Sequence, residues 1–242
     1  MIEFKKVHKA FGSKKVLDGM SFEVGKGEIV FLLGRSGAGK SVTLKHLVGL
    51  VQPDRGEVWI DGENVTRFSE AEFFPVRRRC GMVFQFPALL DSLDIYENLA
   101  FGIRALGVAP EKEERALILE TLKQVGLGEA VLRRFPPELS FGMQKRVSIA
   151  RTVALKPKYL LFDEPTTSLD PVATRSIHDL IHSLSRRLNA TSLVVSHDMA
   201  GALSVADRIL LVDSGQVVDA GTPAQMRSSN YPLTQEFLRD ST

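Results

Sequence analysis

Five short and almost wholly apolar runs punctuate the chain, at residues 29–33, 82–84, 159–162, 192–195 and 209–212. Each is rich in Val, Ile, Leu or Phe and lacks polar alternation, as suits a parallel strand covered on both faces. Segments of helical pattern lie between several of them, at 40–50, 144–155 and 171–188. That alternation predicts an α/β domain around a mostly parallel sheet. The first third reads as β-rich: residues 57–62 alternate polar and apolar like a half-buried strand ending in a turn, and 24–27 form another turn. Asp213-Ser214-Gly215-Gln216 joins two apolar runs and predicts a hairpin near the C-terminus. Between Pro87 and Pro157 the strand-like runs give way to helical patterns such as 111–125. This stretch predicts a helical insert of about 70 residues within the α/β core.

Composition narrows the class without naming a function. The chain has 242 residues, 44% apolar and 25% charged, which suffices for one sizeable core. Disordered, collagenous and disulfide-scaffold classes are excluded. Lys+Arg exceed Asp+Glu by 31 − 29 = 2, a balance that argues against a protein whose main task is coating nucleic acid. Arg77-Arg78-Arg79 read as a solvated helix face rather than a nucleic-acid patch. The single cysteine, Cys80, cannot form an internal disulfide, which points to a reducing compartment. No apolar run approaches the ~18 residues of a membrane span, and the first residues lack the apolar core of a signal peptide.

The chemistry sits at the ends of the predicted strands. Gly34-Arg35-Ser36-Gly37-Ala38-Gly39-Lys40-Ser41 matches G-x-x-x-x-G-K-[ST], with a strand before it and a helix, beginning Lys40-Ser41-Val42, after it. Its glycines let the backbone aim N–H groups at phosphate oxygens, Lys40 supplies a point charge to the β- and γ-phosphates, and the Ser41 hydroxyl suits Mg²⁺. The run Tyr159-Leu160-Leu161-Phe162 ends in Asp163 and Glu164. Asp163 suits the Mg²⁺-holding carboxylate, and Glu164 the group that orients or deprotonates an attacking water. Pro165 biases Glu164 toward extended backbone. Gln85 and His197 follow two further apolar runs. Ligands of open α/β sheets sit beyond the carboxyl ends of the strands, so all these groups are expected to converge on one nucleoside triphosphate. His8, His46, His178 and His182 read as structural.

With these residues in place the chain resembles the ATP-binding-cassette (ABC) ATPases over essentially its whole length. Their signature, near L-S-G-G-Q, is matched by Leu139-Ser140-Phe141-Gly142-Met143, opening a predicted helix at Gln144. The resemblance implies a P-loop fold with an N-terminal antiparallel β-subdomain. It implies a single 1–242 cassette, with a nucleotide-binding core (1–86 and 158–242) and a helical signature subdomain (87–157). It further implies a head-to-tail homodimer in which Ser140, Phe141, Gly142 and Met143 meet the γ-phosphate held by the partner. Asp170 falls in the D-loop, Gln85 in the Q-loop and His197 at the switch histidine. Phe11 matches the aromatic that stacks on adenine, although a core aromatic of an N-terminal strand reads equally well. Phe141 departs from the first signature glycine. It is expected to crowd the γ-phosphate site and to strain a backbone suited to glycine, slowing hydrolysis.

Residues 84–102 and 231–238 are similar to the ATPases of Mla-type phospholipid-trafficking systems. That resemblance implies ATP and Mg²⁺ as cofactors, separate integral membrane permeases, a lipid-binding partner protein, and a place on the cytoplasmic face of the inner membrane. Amino-acid or methionine importer ATPases, and a non-transport membrane ATPase such as a cell-division regulator, are the alternatives.

Overall fold

The computed structural model describes residues 1–241. In chain order the elements are β1 (Ile2–Phe11), β2 (Lys14–Val24), β3 (Ile29–Gly34), α1 (Lys40–Leu47), β4 (Arg55–Ile60), β5 (Glu63–Asn64), α2 (Glu70–Arg79) and β6 (Cys80–Val83). Then come α3 (Ile95–Leu106), α4 (Glu111–Gln124), α5 (Phe141–Val153), β7 (Tyr159–Asp163), α6 (Pro171–Leu188) and β8 (Thr191–Ser196). The chain finishes with α7 (Met199–Val205), β9 (Arg208–Asp213), β10 (Gln216–Gly221), α8 (Pro223–Arg227) and α9 (Pro232–Arg239).

Two sheets result. A four-stranded antiparallel sheet runs in the order β2-β1-β4-β5, and a six-stranded sheet in the order β10-β9-β3-β8-β7-β6. In the larger sheet β9, β3, β8, β7 and β6 are mutually parallel, and β10 returns antiparallel through the hairpin at Ser214-Gly215. The apolar runs are explained by what lies on each face. Ile29, Phe31 and Leu33 of β3 enter one core, with Leu160, Phe162, Ile209 and Leu211 and the apolar sides of α3 to α7. Val30 and Leu32 enter a second core, with Leu161, Leu193 and Leu210, helix α1 and the inner face of the antiparallel sheet. A strand between two cores needs apolar side chains at both parities, so polar alternation is lost.

Caps place the helix starts. Ser69 and Glu72 form a capping box for α2, Asp94 accepts from the Glu97 amide at α3, and Asp170 accepts from Val172 and Ala173 at α6, where Pro171 occupies the first turn. Helix α5 begins at Phe141, capped by Ser140, and not at Gln144 as the sequence suggested. The basic end of α2 is engaged internally: Arg77 pairs with Glu70, and Arg79 with Asp61 and Glu63. No helix among the described residues is long and apolar enough to cross a membrane.

Candidate nucleotide site

Strand β3, with every residue buried, delivers the glycine-rich loop. Gly37 and Gly39 take φ of +82° and +99°. A Cβ on Gly39 would stand 2.7 Å from the Val16 carbonyl oxygen and 2.6 Å from Leu17 Cδ2, so a side chain has no room there. The turn lets Lys40 fold back into the loop. Its Nζ donates to the carbonyls of Gly34 (2.7 Å) and Arg35 (3.1 Å) and lies 3.4 Å from Glu164 Oε1. Ser41 Oγ donates to Asp163 Oδ1 at 2.7 Å, joining the start of α1 to the end of β7.

Glu164 is the hinge of the arrangement. Its amide donates to the Val195 carbonyl, and its Oε2 is 2.8 Å from His197 Nδ1, while Oε1 faces Lys40. Its φ is +46°, in the left-handed region rather than the extended one that Pro165 led us to expect. Such backbone in a non-glycine residue costs about 1–3 kcal/mol and is held here by the two flanking partners and the Val195 bond. The turn aims the carboxylate back over the P-loop instead of out along the strand.

These groups border an open cavity of about 1430 Å³. Arg35, Ser36, Gly37, Gly39, Lys40, Ser41, Val42, Gln85, Glu164 and His197 line it. Gly34 and Ala38 of the same loop are buried and do not line the cavity. Asp163 is reached through Ser41. Gln85 stands two residues beyond the end of β6 rather than at its tip, and is exposed. Phe11 is outside the lining; it pairs with Lys14 across the β1–β2 hairpin and is 49% exposed, which removes the core-aromatic reading. Ser140, Phe141, Gly142 and Met143 are not part of this cavity within their own chain, and neither is Asp170, whose carboxylate caps α6.

Phe141 corrects another expectation. It sits in the first turn of α5 at ordinary helical backbone, and Gly142 has room for a side chain, with only Leu169 Cδ2 near, at 3.9 Å. The glycine-specific strain anticipated for Phe141 is absent. Its ring instead lies over the ammonium of Lys145, 5.5 Å from the centroid.

Several lining or supporting groups escaped the sequence reading. Lys14 and Val16 reach the cavity from the β1–β2 hairpin, and Glu236 and Phe237 from α9. Arg35 Nη2 lies 2.5 Å from both Glu236 oxygens. That pairing lifts the guanidinium above its ordinary pKa and lowers the carboxyl. Lys145 is fully buried in α5 and donates to the Gln85 carbonyl. Burial brings its pKa down to about 8, against the opposing pull of Asp163 and Glu164. Its signal was the i, i+4 spacing of Phe141, Lys145 and Ile149, which sets a lysine in a buried stripe.

Residues 17–167 match the ABC transporter family. The chain is 40% identical over 225 residues to the methionine import ATP-binding protein MetN of Carboxydothermus hydrogenoformans, covering 93% of this chain but 66% of that one. It is 39% identical over 240 residues to the intermembrane phospholipid transport system ATP-binding protein MlaF of Haemophilus influenzae, covering 99% and 90%. The dimeric post-hydrolysis structure of the ATP-binding cassette MJ0796, bound to ADP and Pi, superposes with a TM-score of 0.82 at 33% identity, covering 92% of this chain and 99% of that one. The chain spans about two thirds or less of the length of the methionine-import relatives it matches. With a glycine-rich loop, a paired acidic strand end and a histidine brought together at the carboxyl ends of the adjacent strands β3, β7 and β8, it belongs to the ABC transporter family.

Proposed function

We propose that this chain is the energy-transducing subunit of a transporter whose membrane-spanning permeases are separate chains, and that its cargo is phospholipid. The observation that carries the catalytic part is the placement of Glu164 between Lys40 and His197 at the mouth of the P-loop. Lys40 and the loop amides would hold the β- and γ-phosphates, and Glu164, steadied by His197, would orient and deprotonate the attacking water. The two protomers close head to tail, each placing Ser140 and the start of α5 on the other's γ-phosphate, with Phe11 beside the base. Core (1–86 and 158–242) and helical subdomain (87–157) move as two parts of that closure.

The oxygen donors fit Mg²⁺: Ser41 and Asp163 already share a hydrogen bond, and the hard hydroxyl–carboxylate pair with the Gln85 amide suits that ion. Ser41, Asp163 and Gln85 would hold the ion, which would supply neutralisation of phosphate charge. Permease docking is supported by Phe84, Phe86, Leu90 and Phe101, large apolar side chains that are all exposed. Leu90 is tied to α3, which carries Phe101, by two hydrogen bonds with Asn98. Exposed apolar side chains grouped in this way favour a protein interface. The chain would then sit on the cytoplasmic face of the inner membrane, beneath the permease.

Near full-length similarity to MlaF, tail included, supports the lipid cargo and a lipid-binding partner. Methionine import is the second reading, favoured by the 40% identity to MetN. Purifying the tagged chain from its native membranes tests both. Co-purification of an integral permease with a lipid-binding protein, and ATPase stimulated by phospholipid, is expected. A permease complex stimulated by methionine and indifferent to lipid refutes the lipid cargo.

A further inference from the structure

Lys145 has a place in the fold that ATP binding alone does not explain. It is fully buried, in the second turn of the helix opened by Ser140 and Phe141. Its ammonium donates to the backbone carbonyl of Gln85, and the Phe141 ring covers it. Burying an ammonium is costly unless it is paired, and here a carbonyl dipole and an aromatic face meet it. The carbonyl belongs to the segment after β6, in which Phe84, Gln85 and Phe86 are all exposed. Arg151 of the same helix adds a second hold, donating to the carbonyls of Pro87 and Ala88. Two side chains of α5 therefore hold the segment that carries Gln85 into the nucleotide cavity.

We propose that Lys145, under Phe141, is a positioning residue that fixes Gln85 in its own chain's nucleotide site to the position of α5. Because the start of α5 meets the partner's nucleotide in the closed dimer, the lysine links the two sites: a shift of α5 at one is passed to Gln85 at the other. The second step rests on the head-to-tail arrangement proposed above; the hold of Lys145 on Gln85 does not. Phe141 accordingly serves as the lid of a buried cation rather than as an obstruction at the γ-phosphate.

The test compares Lys145→Met, which keeps the bulk and removes the donor, with Lys145→Arg, which restores a donor and a cation. Amide hydrogen exchange on the protein without nucleotide is expected to rise at least tenfold across residues 84–88 in Lys145→Met and to stay near parental in Lys145→Arg. Steady-state hydrolysis is expected to fall at least tenfold in Lys145→Met, with loss of cooperativity in ATP, while ATP affinity measured without Mg²⁺ stays within about threefold. Unchanged exchange in Lys145→Met, or equal change in both variants, overturns the positioning role. Raised exchange with intact cooperativity overturns the link between sites alone, and a Glu164→Gln chain that stays monomeric with ATP instead refutes the dimer on which that link rests. If Lys145→Met does not fold, Phe141→Leu, which removes the aromatic face at the surface of α5, must raise exchange at 84–88 for the proposal to stand.

Discussion

Replacing Glu164 by glutamine is expected to separate catalysis from binding, because on the proposed mechanism the two effects have opposite signs. The amide preserves the shape that spans Lys40 and His197 but deletes the negative charge. At 3.4 Å from Lys40 that charge contributes an attraction of about 5 kcal/mol at an effective dielectric near 20. Both groups are largely buried, with side chains 7% and 14% exposed, so lost hydration offsets most of it. A residue of about 1 kcal/mol then competes with phosphate for Lys40, and its removal should tighten ATP binding by roughly fivefold. Turnover should move the other way. Loss of a general base costs about 10²- to 10⁴-fold, or about 3–5 kcal/mol in the barrier. Phosphate release under saturating ATP measures the second effect, and nucleotide titration the first. Size-exclusion chromatography with ATP and Mg²⁺ should show accumulated dimer. Turnover within threefold of the parent would remove Glu164 from the chemistry; weaker ATP binding would show that its main task is to hold Lys40 in place.

Three further perturbations follow from described contacts. Lys40→Ala removes the cation inside the loop and should weaken ATP binding at least tenfold in the same titration, with hydrolysis lost. Gly39→Ala forces a Cβ against the Val16 carbonyl and Leu17 at φ +99°, and should destabilise the fold by about 1–3 kcal/mol, read from denaturant midpoints at unchanged m. For Asp61, burial alone would raise the carboxyl pKa, but hydrogen bonds from Lys158, Tyr159 and the Met1 amino group hold it well below the usual carboxylate range. Its contribution is present above the unfolded value near ~4 and is lost as pH falls below it. Asp61→Asn should therefore be less stable at pH 7, and its unfolding midpoint should converge with the parent's as pH drops below about 4.

Legibility in the sequence followed the range of the forces involved. Strands β3, β7, β8 and β9 were visible because burial on two faces leaves uninterrupted Val, Ile, Leu and Phe, and α6 because Asp170-Pro171 marks its start. The P-loop was legible because its glycines answer a local need. Strands β1 and β2 were not, since register shifts and one exposed face break their alternation. The start of α5 was read three residues late: Phe141 and Gly142 were judged by their likeness to glycine-rich signatures and not by the Ser140 cap. The left-handed turn at Glu164 is held by partners on α1, on β8 and in the loop after β8, and the Arg35–Glu236 contact joins residues 201 apart. The i, i+4 stripe of α5 could have signalled a buried lysine and was not read so, and its partner, the Gln85 carbonyl, leaves no trace in any local pattern.

Strand β3 has no residue that reaches solvent, and it is hydrogen-bonded to neighbours on both edges. Its amides should therefore exchange only when the whole protein unfolds. For the nucleotide cycle proposed above this sets a frame of reference. The strand that leads into the glycine-rich loop is the bearing, fixed on timescales shorter than unfolding. The work of a nucleotide cycle must then be expressed as displacement of whatever approaches the phosphates from the other side.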